Sequence, residues 1–143
     1  MCVTCDRRRV LQGGAAIAAV TALPTVGVTG PGEGQAFFLA EAERMRKQAV
    51  GAGDQSYGAV LVLNGRIAGY GPSRVVTDRN PNAHAERVAI WAAQAALGRM
   101  DLAGAVLYST SRPCGACEAV AADANVARMI YGAGTDAGAP RKR

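Results

Sequence analysis

The dipeptide Asn64-Gly65 stands between two short apolar runs, GAVLVL before it and RIAGYG after it. Asn-Gly favours a two-residue turn whose left-handed backbone matches the twist of paired strands, so Gly58–Leu63 and residues 66–71 are predicted to be antiparallel neighbours. The rest of the chain alternates between helical and strand-like stretches. Upstream, Phe38, Ala42, Met45 and Ala49 fall on one face of a helix that starts at Ala36 and stops near Gly51. Downstream, a helix is predicted over residues 83–97, capped by Asn82, burying Val88, Trp91, Ala92 and Ala95 and closing at Gly98. A third strand (AGAVLYST), a third helix (CGACEAVAADAN) and a fourth strand (ARMIYGA) follow. Strands separated by helices run parallel through right-handed crossovers. The expected fold class is therefore α/β, a three-layer α/β/α sandwich on a mixed sheet of about four strands, in the order α-β-β-α-β-α-β.

The core of such a domain rests on Val, Ile, Leu and Ala, because aromatic residues are only 5% of the 143. The net charge of +5 is concentrated at the ends, in Arg7, Arg8 and Arg9 and in Arg141, Lys142 and Arg143. Residues 36–140 carry ten Lys and Arg against nine Asp and Glu, which argues against a large nucleic-acid footprint. Residues 1–35 read as an export signal and linker: an arginine cluster, then an apolar run over residues 13–28 broken by Pro24. That run is too short for a stable membrane span. Arg7-Arg8-Arg9-Val10-Leu11 resembles the twin-arginine translocation motif, which implies a periplasmic location; the alternative is an N-terminal arm on a cytoplasmic protein. Cys2 and Cys5 are assigned to the signal. The domain is expected over residues 36–135, with a basic tail over residues 136–143.

Two short pieces carry chemistry. His84 is the single histidine, and Glu86 follows two residues later; Cys114 and Cys117 lie three apart after Pro113. If Pro113 opens the third helix, both thiols project from its first turn, where the helix N-terminus favours thiolate. One nitrogen and two thiolates suit Zn2+ and leave a fourth position open, as in catalytic rather than structural sites. Residues two apart on a regular helix diverge, so His84 and Glu86 share a site only if His84 lies at the helix entrance. The competing reading of Cys114 and Cys117 is a redox pair.

Together the motifs make the H-x-E…P-C-x-x-C signature of zinc deaminases. The chain resembles the cytidine deaminase-like superfamily, nearest its branch of guanine, cytosine and tRNA adenosine deaminases. NPNAHAE is similar to that branch's DPTAHAE, LYSTSRPCGAC to LYVTLEPCPMC, and SYGAV to PFGAV, with 26 residues between Glu86 and Pro113. The resemblance implies one Zn2+ per chain on His84, Cys114 and Cys117, with Glu86 as the catalytic proton shuttle. It implies a small nucleobase or nucleoside substrate, contacted by Ser73 and by the backbone N–H groups of Ala85 and Cys114, and a homodimer. Tyr57, Ser109 and Ser111 are candidate pocket residues, and Trp91 is read as core. Three positions depart from the pattern: Ser73 replaces an asparagine, Arg112 a glutamate and Asn80 an aspartate. The family's further strand and helix after the fourth strand are not expected here. A looser pocket with broad activity follows from those departures. The alternatives are a tRNA adenosine deaminase and a non-catalytic zinc-stabilised module.

Overall fold

The computed structural model describes residues 31–142. The export signal and the Cys2–Cys5 pair expected from the sequence lie outside them. Asn64 and Gly65 both take positive φ, 52° and 74°, which closes the hairpin between β1 (Gly58–Leu63) and β2 (Arg66–Pro72). Val60 pairs with Tyr70 and Leu63 with Arg66, with a bulge between Leu61 and Val62. The helices α1 (Pro31–Gly51), α2 (Ala85–Leu97) and α3 (Gly115–Asp123) flank this hairpin and the strands β3 (Val106–Ser109), β4 (Arg128–Tyr131) and β5 (Thr135–Gly138).

The sheet order is β2-β1-β3-β4-β5. β1 is antiparallel to both β2 and β3, β3 and β4 are parallel, and β4 and β5 form a hairpin. Five strands replace the four expected. After β4, Gly132 and Gly134 take φ of 61° and 112°, conformations open to glycine, and the chain reverses to pair Thr135 with Tyr131. The fifth strand therefore begins at the last residue of the expected domain, Thr135, and continues through residues 136–138, which the sequence reading places in the tail. Beyond it, the Arg141 guanidinium and backbone N–H both donate to Glu118 on α3.

Side chains alternate across the sheet. Leu61, Leu107 and Met129 face α2 and α3, where Ala85, Ala89, Ile90, Ala93 and Ala121 complete one core. Val60, Val62, Tyr108 and Ile130 face α1 and meet Met45 and Phe38. Ala42, Met45 and Ala49 are buried, as their spacing requires. α1 begins at Pro31 rather than Ala36, since proline is accommodated in a first helical turn.

The α2 face differs from the expected one. A Cβ on Gly69 would lie 2.0 Å from the Ala89 carbonyl, and one on Gly71 would lie 2.1 Å from that of Ala85. The helix backbone rests directly on β2, and only glycine permits that approach. Residues 85, 89 and 93 turn inward with Val88 and Ile90, while Trp91 is turned out and 40% exposed. Ala95 is exposed and Ala92 half-buried, so three of the four residues expected in the α2 core are displaced outward.

Candidate metal and proton-transfer site

β2 and β3 run in the same direction, each leading into a loop and then a helix. The N-termini of α2 and α3 consequently open at the same edge, beyond the strands' carboxyl ends, where open α/β sheets bind ligands. His84 is the N-cap of α2: its backbone is extended (φ −62°, ψ 151°), its carbonyl accepts from the Val88 N–H at 2.9 Å, and its ring makes no capping bond. His84, not Asn82, holds the cap position. The Asn82 N–H is drawn into a turn by Asn80 Oδ1, and its side-chain oxygen accepts from Arg87. The extended backbone at His84 lets its ring and the Glu86 carboxylate, in the first turn, reach one place.

Cys114 is the N-cap of α3, so the helix starts at Gly115, two residues later than the start expected at Pro113, and the Cys114 sulfur accepts from the Cys117 N–H at 3.4 Å. The sulfur atoms of Cys114 and Cys117 are 3.2 Å apart, and His84 Nδ1 lies 3.8 and 3.4 Å from them. A tetrahedral zinc with bonds of about 2.3 Å to sulfur and about 2.0 Å to nitrogen separates its donors by about 3.5–3.8 Å. All three donor atoms lie within 4.8 Å of one another, so the donor set fits one zinc ion. Burial opposes ionisation of Cys114, but the Cys117 N–H, its thiol and the Ala116 N–H hold its pKa below the ordinary thiol value. Burial pushes the Cys117 thiol up, and the nearby Glu86 carboxylate adds to this; Arg87 pulls the other way. The Arg87 Nε is buried without a hydrogen-bond partner.

Beside the cluster is a cavity of about 330 Å³, lined by Gln55, Tyr57, His84, Ala85, Glu86, Ser111, Arg112 and Cys114. Glu86 is 5% exposed. Of the residues expected to meet substrate, Ala85 and Cys114 line this space, as do Tyr57 and Ser111. Ser73 does not: it is buried, and its hydroxyl donates to Asp54 Oδ1 at 2.9 Å while its N–H donates to the Tyr57 carbonyl. Its place is behind the wall. Asp54 gathers the segment: burial works against its charge, but N–H groups of Thr77 and Gln55 and hydroxyls of Ser73 and Thr77 hold its pKa down to about 2. Ser109 is also absent from the lining, yet its hydroxyl donates to Glu86 Oε1 at 3.0 Å.

Gln55, Arg112, Asp54 and the Ser109 link were not identified as site groups from sequence. Arg112 carried a signal, as a departure from the family pattern. Gln55 and Asp54 lie in a polar loop with no motif, and only the tertiary fold brings them here.

The sequence profile of the cytidine and deoxycytidylate deaminase zinc-binding region matches residues 33–133. A tRNA-specific adenosine deaminase of Bacillus subtilis is 36% identical over 96 residues, which are 67% of this chain and 60% of that relative's length. A solved structure from a study of A-to-I editing by tRNA:A34 deaminases at the wobble position superposes with a TM-score of 0.66 at 36% identity, covering 73% of this chain and 75% of the other. A guanine deaminase structure from Bacillus subtilis gives 0.65 at 34% identity, covering 67% and 62%.

Proposed function

The chain belongs to the family of cytidine and deoxycytidylate deaminase zinc-binding domains, and from that premise we propose that it is a zinc-dependent deaminase of a nucleobase, nucleoside or related amino-heterocycle, releasing ammonia. What carries the proposal is the convergence of two helix mouths: His84, Cys114 and Cys117 form one donor cluster, and Glu86 lies beside them in the wall of a cavity of about 330 Å³. His84, Cys114 and Cys117 would hold one zinc ion, which would supply a Lewis acid that makes water acidic enough to attack near neutral pH. Glu86 takes one proton of the attacking water and passes it to a ring nitrogen of the substrate; it then takes the remaining proton of the added hydroxyl and delivers it to the amine, so that the carbonyl forms as the C–N bond breaks and ammonia leaves. The N–H groups of Ala85 and Cys114 lie at helix N-termini, have no intrahelical partner, and are suited to hold a substrate carbonyl. Tyr57, Gln55, Ser111 and Arg112 line the rest of the cavity. Ser73 is left out of substrate binding, since its hydroxyl is committed to Asp54.

A second reading, tRNA adenosine deamination, is favoured by the 36% identity to a tRNA-specific adenosine deaminase. Ammonia release from free bases, nucleosides and an anticodon stem-loop separates the two. Turnover of the small molecules supports the first, turnover of the stem-loop alone supports the second, and turnover of neither rejects both.

Two further parts of the proposal concern place and assembly. Export by the twin-arginine route is motivated by Arg7-Arg8-Arg9-Val10-Leu11. Replacing the three arginines by lysine should strand a reporter fusion in the cytoplasm, and unchanged export removes the idea. A homodimer is motivated by exposed apolar side chains on and after α2, among them Trp91, Leu97 and Met100. A monomer by sedimentation at micromolar concentration overturns it.

A further inference from the structure

Glu86 is buried, and among the described residues its carboxylate receives a single hydrogen bond, from Ser109 Oγ to Oε1 at 3.0 Å. Ser109 is itself 1% exposed. Its backbone is fixed on both sides by the sheet, where it pairs with Ala59 of β1 and Tyr131 of β4. Its oxygen also lies 3.4 Å from the Ser111 N–H, which donates to it. The hydroxyl can thus accept from the backbone while donating to the carboxylate. One oxygen of Glu86 is tethered to the rigid centre of the sheet, and the other is left for the cavity. A proton shuttle needs this division, since an untethered buried carboxylate can swing between rotamers and lose its line to the substrate.

We infer that Ser109 is a positioning residue that holds Glu86 in its working rotamer through the Oγ–Oε1 hydrogen bond. The inference rests on the deaminase reading for its kinetic consequence but on the observed contact for its geometry. The position lends itself to an isosteric test. Ser109→Thr keeps the hydroxyl, and Ser109→Val has nearly the same shape as that variant without it. Hydrogen bonds to charged groups have a typical strength that corresponds to a loss of roughly 10- to 100-fold in kcat for Ser109→Val. KM should stay within about twofold and zinc should stay at one per chain, while Ser109→Thr recovers most of the rate. Because Ser109 acts through Glu86, adding Ser109→Val to Glu86→Gln should cost nothing further.

A second readout needs no turnover. The infrared carboxylate band of Glu86, identified by its absence in Glu86→Gln, should shift in Ser109→Val and return in Ser109→Thr. An unshifted band, or equal rates for the Thr and Val variants, overturns the inference. If wild type deaminates nothing in the substrate panel, the deaminase reading fails, and the infrared band still decides whether the tether exists.

Discussion

Two hollows among the described residues differ in size and in content, and the smaller one borders the metal-donor cluster. The larger, about 820 Å³, runs along the exposed edge strand β2 between α1 and α2. Its charges answer one another or an aromatic ring: Arg74 pairs with Asp78 at 3.4 Å, and the Arg44 guanidinium sits 5.5 Å above the Tyr70 ring while pairing with Glu41. The smaller, about 330 Å³, lies at the mouths of α2 and α3. Here a histidine, two thiols and a carboxylate converge, and helix N-termini add their partial positive charge. Volume follows from how α1 and α2 splay over an edge strand. Reactivity follows from where two parallel crossovers deliver helix mouths.

Removing the donors should have the largest effect. His84→Ala and Cys114→Ala should each lose zinc, lose measurable turnover and lower the melting temperature by several degrees, because metal binding is coupled to folding. Metal content and thermal melts on the purified variants check this. Full zinc occupancy in either variant would dissolve the proposed ligand set. Next comes the carboxylate. Glu86→Gln should keep one zinc per chain and lose turnover by about 10³–10⁴-fold, the upper end of general acid–base catalysis, because one group serves several proton transfers. Loss of zinc in this variant would make Glu86 a ligand rather than a shuttle.

The smaller hollow was legible in the sequence to an unequal degree. His84, Cys114 and Cys117 could be brought together from sequence because metal ligation constrains residue type and spacing together, and Glu86 because its offset of two from His84 belongs to the same motif. The hairpin at Asn64-Gly65 and the buried face of α1 could be found because turn chemistry and periodicity are local. Trp91 was misplaced for a reason that is not local. Which face of α2 turns inward depends on Gly69 and Gly71, two residues of another element that admit only a helix face of alanines. Ser73 was misplaced because alignment gives a position along the chain and not a direction. Its hydroxyl is claimed by Asp54, a loop residue that no motif marks. β5 was missed because its four residues, TDAG, carry no strand-like apolar pattern and form by pairing with β4. The looser pocket inferred from Ser73 loses that support.

Asp54 ties together the segment between the two hollows: Gln55 and Tyr57 belong to the smaller, Arg74 and Asp78 to the larger. Its pKa is lowered to about 2 against burial by four hydrogen bonds, two of them from Thr77. A depressed carboxylate contributes stability above its unfolded value, 3.8, and that contribution is lost as pH falls toward 2. Asp54→Asn should destabilise the fold at pH 7 by about 1 kcal/mol once solvent screening is allowed for. The gap to wild type should close between pH 4 and pH 2. Urea unfolding of both proteins across that range measures it, and a gap that is constant with pH would assign the effect to something other than the charge.

The smallest effect is expected in the larger hollow, and it is the sharpest test of the contrast. Trp91 is the largest side chain lining that groove and is 40% exposed, so replacing it leaves no buried cavity. It stands five residues after Glu86 on α2, and residues five apart on a helix point well away from one another. Trp91→Ser should therefore keep zinc, change the melting temperature little and leave kcat/KM within about twofold. Sedimentation of the same variant accounts for any change in assembly through the exposed face of α2. A fall of more than tenfold in kcat/KM, with zinc content and sedimentation unchanged, would mean that substrate reaches into the groove and that the two hollows work as one.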